Sequence, residues 1–305
     1  MSTSGTTGDG YRGRFAPSPT GPLHLGSLLA ALAGYLDAKS HRGVWLLRIE
    51  DVDPYRSHAQ AAESIPKDLE RFGLYWDESI VQQSSRLDSY RQVLEQLDLR
   101  GLVYACTCSR KHLAEQGYAG ERYPNQCRDK SRSRHQPHAL RVITPGYVIN
   151  VFDRLQGAYG VNLAREAGDF ILYRRDQVYA YHLAVVVDDY DQRITHVVRG
   201  VDLLDSTPRH QYLQQTLRYP TPQYLHLPVI LAPNGQKLSK QTGAASIAAL
   251  DPTATLFYLL SLLGHVPPET LRGAPVDELL AWAVGVWDEK RLPQERGIQA
   301  FRNAE

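Results

Sequence analysis

VWLLRIE, residues 44–50, is an apolar run without alternation, as a strand covered on both faces requires. LGSLLAALAGYLDAK, residues 25–39, instead spaces its apolar positions along one face of a helix. A short strand is predicted over 12–16, and helices over 59–73 and 86–100. Strand and helix thus alternate, which predicts an α/β domain with a doubly wound parallel sheet. From about residue 105 the pattern breaks up. Short strand-like pieces follow (ALRVI, YVINVFD, FILYRR, QVYAYH), with three cysteines and the basic run RDKSRSRH at 128–135. This predicts a small α+β module inserted over 105–181. The α/β texture returns with AVVVDDYD, THVVRG, a helix near 203–217 and HLPVILA at 226–232. Residues 12–104 and 182–245 therefore read as one interrupted domain. Residues 246–305 read as short helices, and the polar residues 1–11 as a disordered tail.

Composition narrows this picture little. The chain has 305 residues, 43% hydrophobic, with Lys plus Arg at 34 and Asp plus Glu at 33, for a net charge of +1. That length can bury a core in one large or two ordinary domains. A nucleic-acid partner must be met by a local basic patch rather than by bulk charge. No apolar stretch approaches the ~18 residues of a membrane span. The N-terminus lacks a secretory pattern, so a cytoplasmic location and no membrane partner are expected. Three cysteines make no disulfide framework and fit a reduced compartment.

RFAPSPTGPLHLGS, residues 14–27, carries the first candidate chemistry. Pro17, Pro19 and Pro22 stiffen a connector from strand to helix. The helix that follows turns its free N–H groups and positive end toward that connector, which suits phosphate. His24 can donate to a phosphate oxygen; taken alone, it reads as readily as a helix cap. NGQKLSKQTG, residues 234–243, is a second candidate, with Lys237 and Lys240 bracketed by Gly235 and Gly243. Those ammonium groups suit charge that builds on a transferring phosphoryl group; taken alone, they read as a solvated basic loop. Gly8, Gly10 and Gly13 spell G-x-G-x-x-G, but they precede the first strand, so no dinucleotide site is expected. No P-loop is present.

Together these stretches resemble the class I aminoacyl-tRNA synthetases. His24-Leu25-Gly26-Ser27 stands where that family has His-Ile-Gly-His, and Lys237-Leu238-Ser239-Lys240-Gln241 where it has Lys-Met-Ser-Lys-Ser. RFAPSPTGPLHLG, LLRIEDVD, VVRGVDLLDSTPRH and KLSK look like the glutamyl/glutaminyl subgroup, over roughly residues 12–245. The resemblance implies a Rossmann-like class I synthetase catalytic domain. It also implies that a carboxylate joins the α-phosphate of ATP, accompanied by Mg²⁺, before the acyl group passes to RNA. His24 and Gly26 would frame the adenosine and phosphates. Lys240, with Lys237 and Ser239, would stabilise the pyrophosphate. Gln241 in place of serine puts that hydroxyl's role in question.

For L-glutamate as substrate, the resemblance assigns Arg14 and Ser18 to the main-chain end and Glu50 to the ammonium. It assigns Arg199 to the side-chain carboxylate, bidentate, and Tyr181 to a hydrogen bond. A structural ion pair at strand ends is the plainer reading of Glu50 and Arg199.

Cys106, Cys108 and Cys127 have metal-ligand spacing, and thiolates suit Zn²⁺. The fourth ligand is open between Tyr123 and His112, histidine being the commoner type. A branch of the subgroup carries C-x-C followed by Y-x-x-x-C, and that resemblance implies Tyr123 and a structural zinc. Only about 64 residues follow Gln241, so no anticodon-binding domain is expected. The resemblance then points to the branch that activates glutamate without tRNA and attaches it to the queuosine base in the anticodon loop of tRNA(Asp). Arg128 to Arg134 is a candidate phosphate contact. A monomer is expected. Charging of a tRNA 3′ end and a non-catalytic RNA-binding role are the alternatives.

Overall fold

Val44–Ile49 forms the centre of a parallel sheet, buried on both sides as its unbroken apolar run requires. The computed structural model describes residues 10–118, 122–130, 135–232, 235 and 246–300. In chain order it contains β1 (Arg12–Phe15), α1 (Leu25–Ser40), β2 (Val44–Ile49), α2 (Ala59–Arg71), β3 (Val81–Gln82), α3 (Leu87–Leu99) and β4 (Val103–Cys106). Then come α4 (Arg110–Glu115), β5 (Ala139–Val142), β6 (Ile149–Asp153), β7 (Gly157–Val161), α5 (Leu163–Glu166) and β8 (Ile171–Tyr173). The rest is α6 (Tyr181–Asp191), β9 (His196–Gly200), α7 (Thr207–Leu217), β10 (Gln223–Leu227), β11 (Val229–Leu231), α8 (Pro252–Leu262), α9 (Val276–Val286) and β12 (Gly297–Gln299).

β1 pairs in parallel with β2, and β2 with β3. β10 pairs in parallel with β9 and, at one position, with β6. The two sets meet edge to edge, because Thr195 N donates to Arg12 O at 2.9 Å. Helices pack against this surface, as the alternating pattern predicts for an α/β fold. The apolar face of α1 (Leu28, Leu29, Leu32, Leu36) joins Trp45, Leu47 and Ile49 of β2 and reaches α8 and α9. β4, β5 and β8 form a separate antiparallel sheet.

Two expectations are refined. The hairpin β6–β7 lies within the 105–181 segment, yet β6 pairs with β10, Asp153 standing opposite Tyr224. QVYAYH reads as strand-like, but only Tyr179 makes a bridge, to Tyr173, and a helix begins at Tyr181. Alternation over six residues is too short to separate a strand from a helix start.

Candidate active site

In an open α/β sheet, ligands collect outside the carboxyl ends of the parallel strands. Arg14 ends β1 but for one residue, Glu50 follows β2, and Arg199 precedes the last residue of β9. All three are buried, as is Asp189 of α6. Asp189 Oδ1 accepts from Arg14 Nε at 3.1 Å and from Arg48 Nη2 at 2.5 Å. Burial works against the ionised Asp189, but the two guanidinium groups outweigh it and hold the carboxyl below its usual range. Glu50 differs. Its Oε1 lies 3.9 Å from Arg48 Nε, too far for a hydrogen bond. Burial raises its pKa; Arg48 and Arg14 oppose the rise, Asp189 and Asp188 add to it, and the result is about 7. Its ion pair with Arg48 is thus a loose one.

Arg199 is the converse. Among the described residues no carboxylate lies within ion-pair distance of it. Its Nε donates to His226 Nε2 at 2.9 Å. Its Nη2 donates to Thr207 Oγ1 at 2.8 Å and to Leu203 O at 3.2 Å. Its Nη1 faces the Tyr181 hydroxyl at 3.2 Å and His210 Nδ1 at 3.5 Å. Protein acceptors thus stand around all three nitrogens, and Nη1 is the one that faces Tyr181. The plainer reading, an ion pair between Glu50 and Arg199, is not what the structure contains. Neighbouring histidines add no charge. Burial and nearby arginines push His182 down to about 3, and burial, Arg199 and His182 push His210 well below its usual value.

A cavity of about 790 Å³ opens over this ground, its wall including Ser18, Glu50 and Tyr181. Arg56, Arg174 and Arg209 line it as well, with Tyr118, Arg122, Tyr123 and Arg141 from the cysteine-bearing segment. Ser18 is exposed there. His24 is not among the lining residues. It caps α1, its Nδ1 accepting from Ser27 N at 3.2 Å and its Nε2 lying 3.1 Å from Ser27 Oγ. That acceptor role leaves the proton on Nε2, where it faces the Ser27 hydroxyl. Gly26 lies in the first turn of α1. Lys237, Ser239 and Lys240, and Gln241, lie outside the described residues.

The cysteines converge. The sulfurs of Cys106, Cys108 and Cys127 lie within 4.8 Å of one another. The Tyr123 hydroxyl is 3.3 Å from Cys106 Sγ and 3.7 Å from Cys108 Sγ. Zn–S bonds of about 2.3 Å in a tetrahedron put sulfurs roughly 3.8 Å apart, so three thiols and a phenol of these spacings fit zinc. His112 is exposed on α4 and is not part of the cluster. No disulfide forms. Burial, then the Cys127 sulfur, pushes the Cys108 thiol up to about 11. The Arg141 guanidinium stands 3.7 Å from the centre of the Tyr123 ring. Arg128 is tied to Asp169, its Nε donating to Oδ2 at 2.8 Å, so it is not a spare phosphate contact; residues 131–134 lie outside the described residues.

Sequence reasoning missed Arg48, Asp188, Asp189, Asp153 and His226. The signal was there. The arginine inside the strand VWLLRI, the acids ending AVVVDD and the histidine in YLHLP each sit where apolar residues belong, and a buried charge demands a partner.

The family profile for the catalytic domain of class I tRNA synthetases (E and Q) matches residues 11–270. A glutamyl-Q tRNA(Asp) synthetase of Methylococcus capsulatus is 49% identical over 291 residues, covering 94% of this chain and 95% of that one. A protein of the same name from Pseudomonas aeruginosa is 49% identical, covering 93% and 96%. The crystal structure of a glutamate tRNA ligase from Elizabethkingia meningosepticum, in complex with its amino acid, superimposes with a TM-score of 0.81 at 28% identity. That match covers 95% of this chain and 67% of that one.

Proposed function

The chain belongs to the class I tRNA synthetases of the glutamate and glutamine type and is a ligase, and on that premise we propose that it activates L-glutamate with ATP and transfers it to the queuosine base of tRNA(Asp). The α-carboxylate of glutamate attacks the α-phosphorus of ATP·Mg²⁺ and pyrophosphate leaves. A hydroxyl of the queuosine base then attacks the acyl carbon of the adenylate, and AMP leaves. The observation that carries this reading is the pairing of complementary deficits around Tyr181. Glu50 has only a loose ion pair, with Arg48 at 3.9 Å, Arg199 has no carboxylate within ion-pair distance among the described residues, and the Tyr181 hydroxyl feels the charge of both. Glutamate supplies an ammonium and a second carboxylate.

Arg14 and Ser18 would hold the main-chain end, with Asp189 keeping the Arg14 guanidinium in place. His24 and Gly26 would meet the phosphates at the start of α1, and Lys237, Ser239 and Lys240 would meet the departing pyrophosphate. Cys106, Cys108, Tyr123 and Cys127 would hold a structural zinc, which supplies a fixed cross-link in the segment that carries part of the cavity wall. No described helix is long and apolar enough to cross a membrane. Relatives of nearly equal length named for glutamyl-Q tRNA(Asp) favour queuosine over a tRNA 3′ end as acceptor.

Labelled glutamate, ATP and either queuosine-containing or unmodified tRNA(Asp) test this. Labelling that requires queuosine and survives periodate treatment of the 3′ end supports it. Labelling independent of queuosine and blocked by periodate would assign a 3′-end ligase instead.

A further inference from the structure

Arg199 is aimed by a residue pair that has no place in the proposed reaction. Asp153 closes β6 and His226 lies in β10, both fully buried. Asp153 Oδ2 lies 2.6 Å from His226 Nδ1. Asp153 Oδ1 is held by the backbone N–H groups of Leu155 at 3.0 Å and Gln156 at 2.8 Å. On the other side of the ring, His226 Nε2 is 2.9 Å from Arg199 Nε. A guanidinium nitrogen can only donate, so Nε2 must accept, and a carboxylate can only accept, so Nδ1 must carry the proton. The two contacts allow one form of the ring, neutral with its proton on Nδ1.

We propose that Asp153 and His226 are positioning residues for glutamate recognition: Asp153 fixes the tautomer of His226, and His226 fixes the guanidinium of Arg199 so that Nη1 faces the substrate carboxylate beside Tyr181. This rests on the reading of Arg199 as the side-chain anchor. A buried arginine is commonly set by a carboxylate. Here the carboxylate acts one residue removed, through a neutral ring. That arrangement orients the guanidinium without neutralising it, which leaves its charge for an incoming anion. Thr207 supports the same geometry, its Oγ1 lying 3.2 Å from His226 Nε2 and accepting from Arg199 Nη2.

The test uses glutamate-dependent ATP–pyrophosphate exchange on the full chain. Loss of one hydrogen bond to a charged group corresponds to roughly a tenfold to hundredfold effect. His226→Leu is expected to raise the KM for glutamate about tenfold or more, with the KM for ATP unchanged and the preference for glutamate over glutamine reduced. His226→Gln, whose amide oxygen can still accept from Nε, is expected to recover most of that loss. Asp153→Asn is expected to fall between them. Nitrogen NMR of histidine-labelled parent protein should place the His226 proton on Nδ1, a readout that needs no variant to fold.

An unchanged glutamate KM in His226→Leu overturns the proposal. So does a parallel rise in both KM values, which marks a general structural defect, or a proton found on Nε2. A parent enzyme with no glutamate-dependent exchange overturns the function reading itself, and that outcome differs from an active parent with insensitive variants.

Discussion

Ser246, three residues after Gly243, forms an isolated antiparallel bridge with His24 in the turn that starts α1. Ile247 N donates to Leu23 O at 3.1 Å in the same join. Residues 246 and 247 thus adjoin the backbone of the turn that starts α1. Arg71, at the end of α2, holds the return, its Nη1 donating to Ala248 O at 2.5 Å and its Nη2 to Leu250 O. Arg71→Ala should therefore loosen the anchor of the lysine-bearing segment without touching the amino-acid pocket. The expected outcome is a KM for ATP raised about tenfold in pyrophosphate exchange, with the KM for glutamate kept. Lys240→Ala should lower kcat about 10²–10³-fold, as loss of a preorganised charge donor does.

Glu50 gives the site a pH dependence. Burial holds its carboxyl up at about 7, against an ordinary 4.5. The folded protein therefore keeps this proton after the unfolded chain has lost it, and the group's contribution to stability falls as pH rises from about 4.5 to 7. Substrate binding runs the other way, because the ammonium of glutamate requires the ionised form. Glutamate affinity should rise with pH through about 7, and binding near pH 7 should release a proton. Calorimetry in buffers of different ionisation enthalpy measures that release. Glu50→Gln should abolish both the release and the pH limb while weakening binding at every pH.

The zinc assignment separates cleanly from its rival. Tyr123→Phe should lower zinc affinity at least about tenfold, and Cys108→Ser more, while His112→Ala leaves the metal content at one per chain. Gly168 tests the same site through the backbone. Its φ is +70°, and a Cβ there would meet Tyr123 O at 2.0 Å. Gly168→Ala should displace Tyr123 and lower zinc content without removing a ligand. Metal analysis by mass spectrometry after dialysis reads all four variants.

What was legible in the sequence was local. The strand 44–49, the helix from Leu25 and the metal spacing of Cys106, Cys108 and Cys127 follow from period and spacing within a few residues. The partners of buried charges were not, since they come from strands far apart in the chain. Nothing near Arg199 in sequence announces Asp153 or His226. The resemblance named Arg199 but not the acceptors around it, because those at Nε and Nη2 are set by β10 and α7. The hairpin β6–β7 was assigned by texture to the cysteine-bearing segment, yet its Asp153 closes onto the catalytic strands.

Asp37 tests how the C-terminal helices are tied to the sheet. It lies fully buried in α1 and receives both Nη atoms of Arg154, at 2.7 and 3.0 Å, the Tyr11 hydroxyl, and Trp287 Nε1 at 3.1 Å. Burial alone would raise its pKa, but the bonds from Arg154, Tyr11 and Trp287 outweigh that and hold the carboxyl below its ordinary value. Its stabilising contribution is thus complete above about pH 4 and is lost as pH falls through the lower folded value. Asp37→Ala leaves the Arg154 charge without this partner and should cost about 3–5 kcal/mol in chemical denaturation near neutral pH. Trp287→Phe removes one hydrogen bond to the same carboxylate and should cost only about 1.5–3 kcal/mol. The gap between the two variants should narrow below pH 4, where the parent loses the Asp37 charge as well. A gap that persists there would mean that Asp37 acts through packing rather than through its charge.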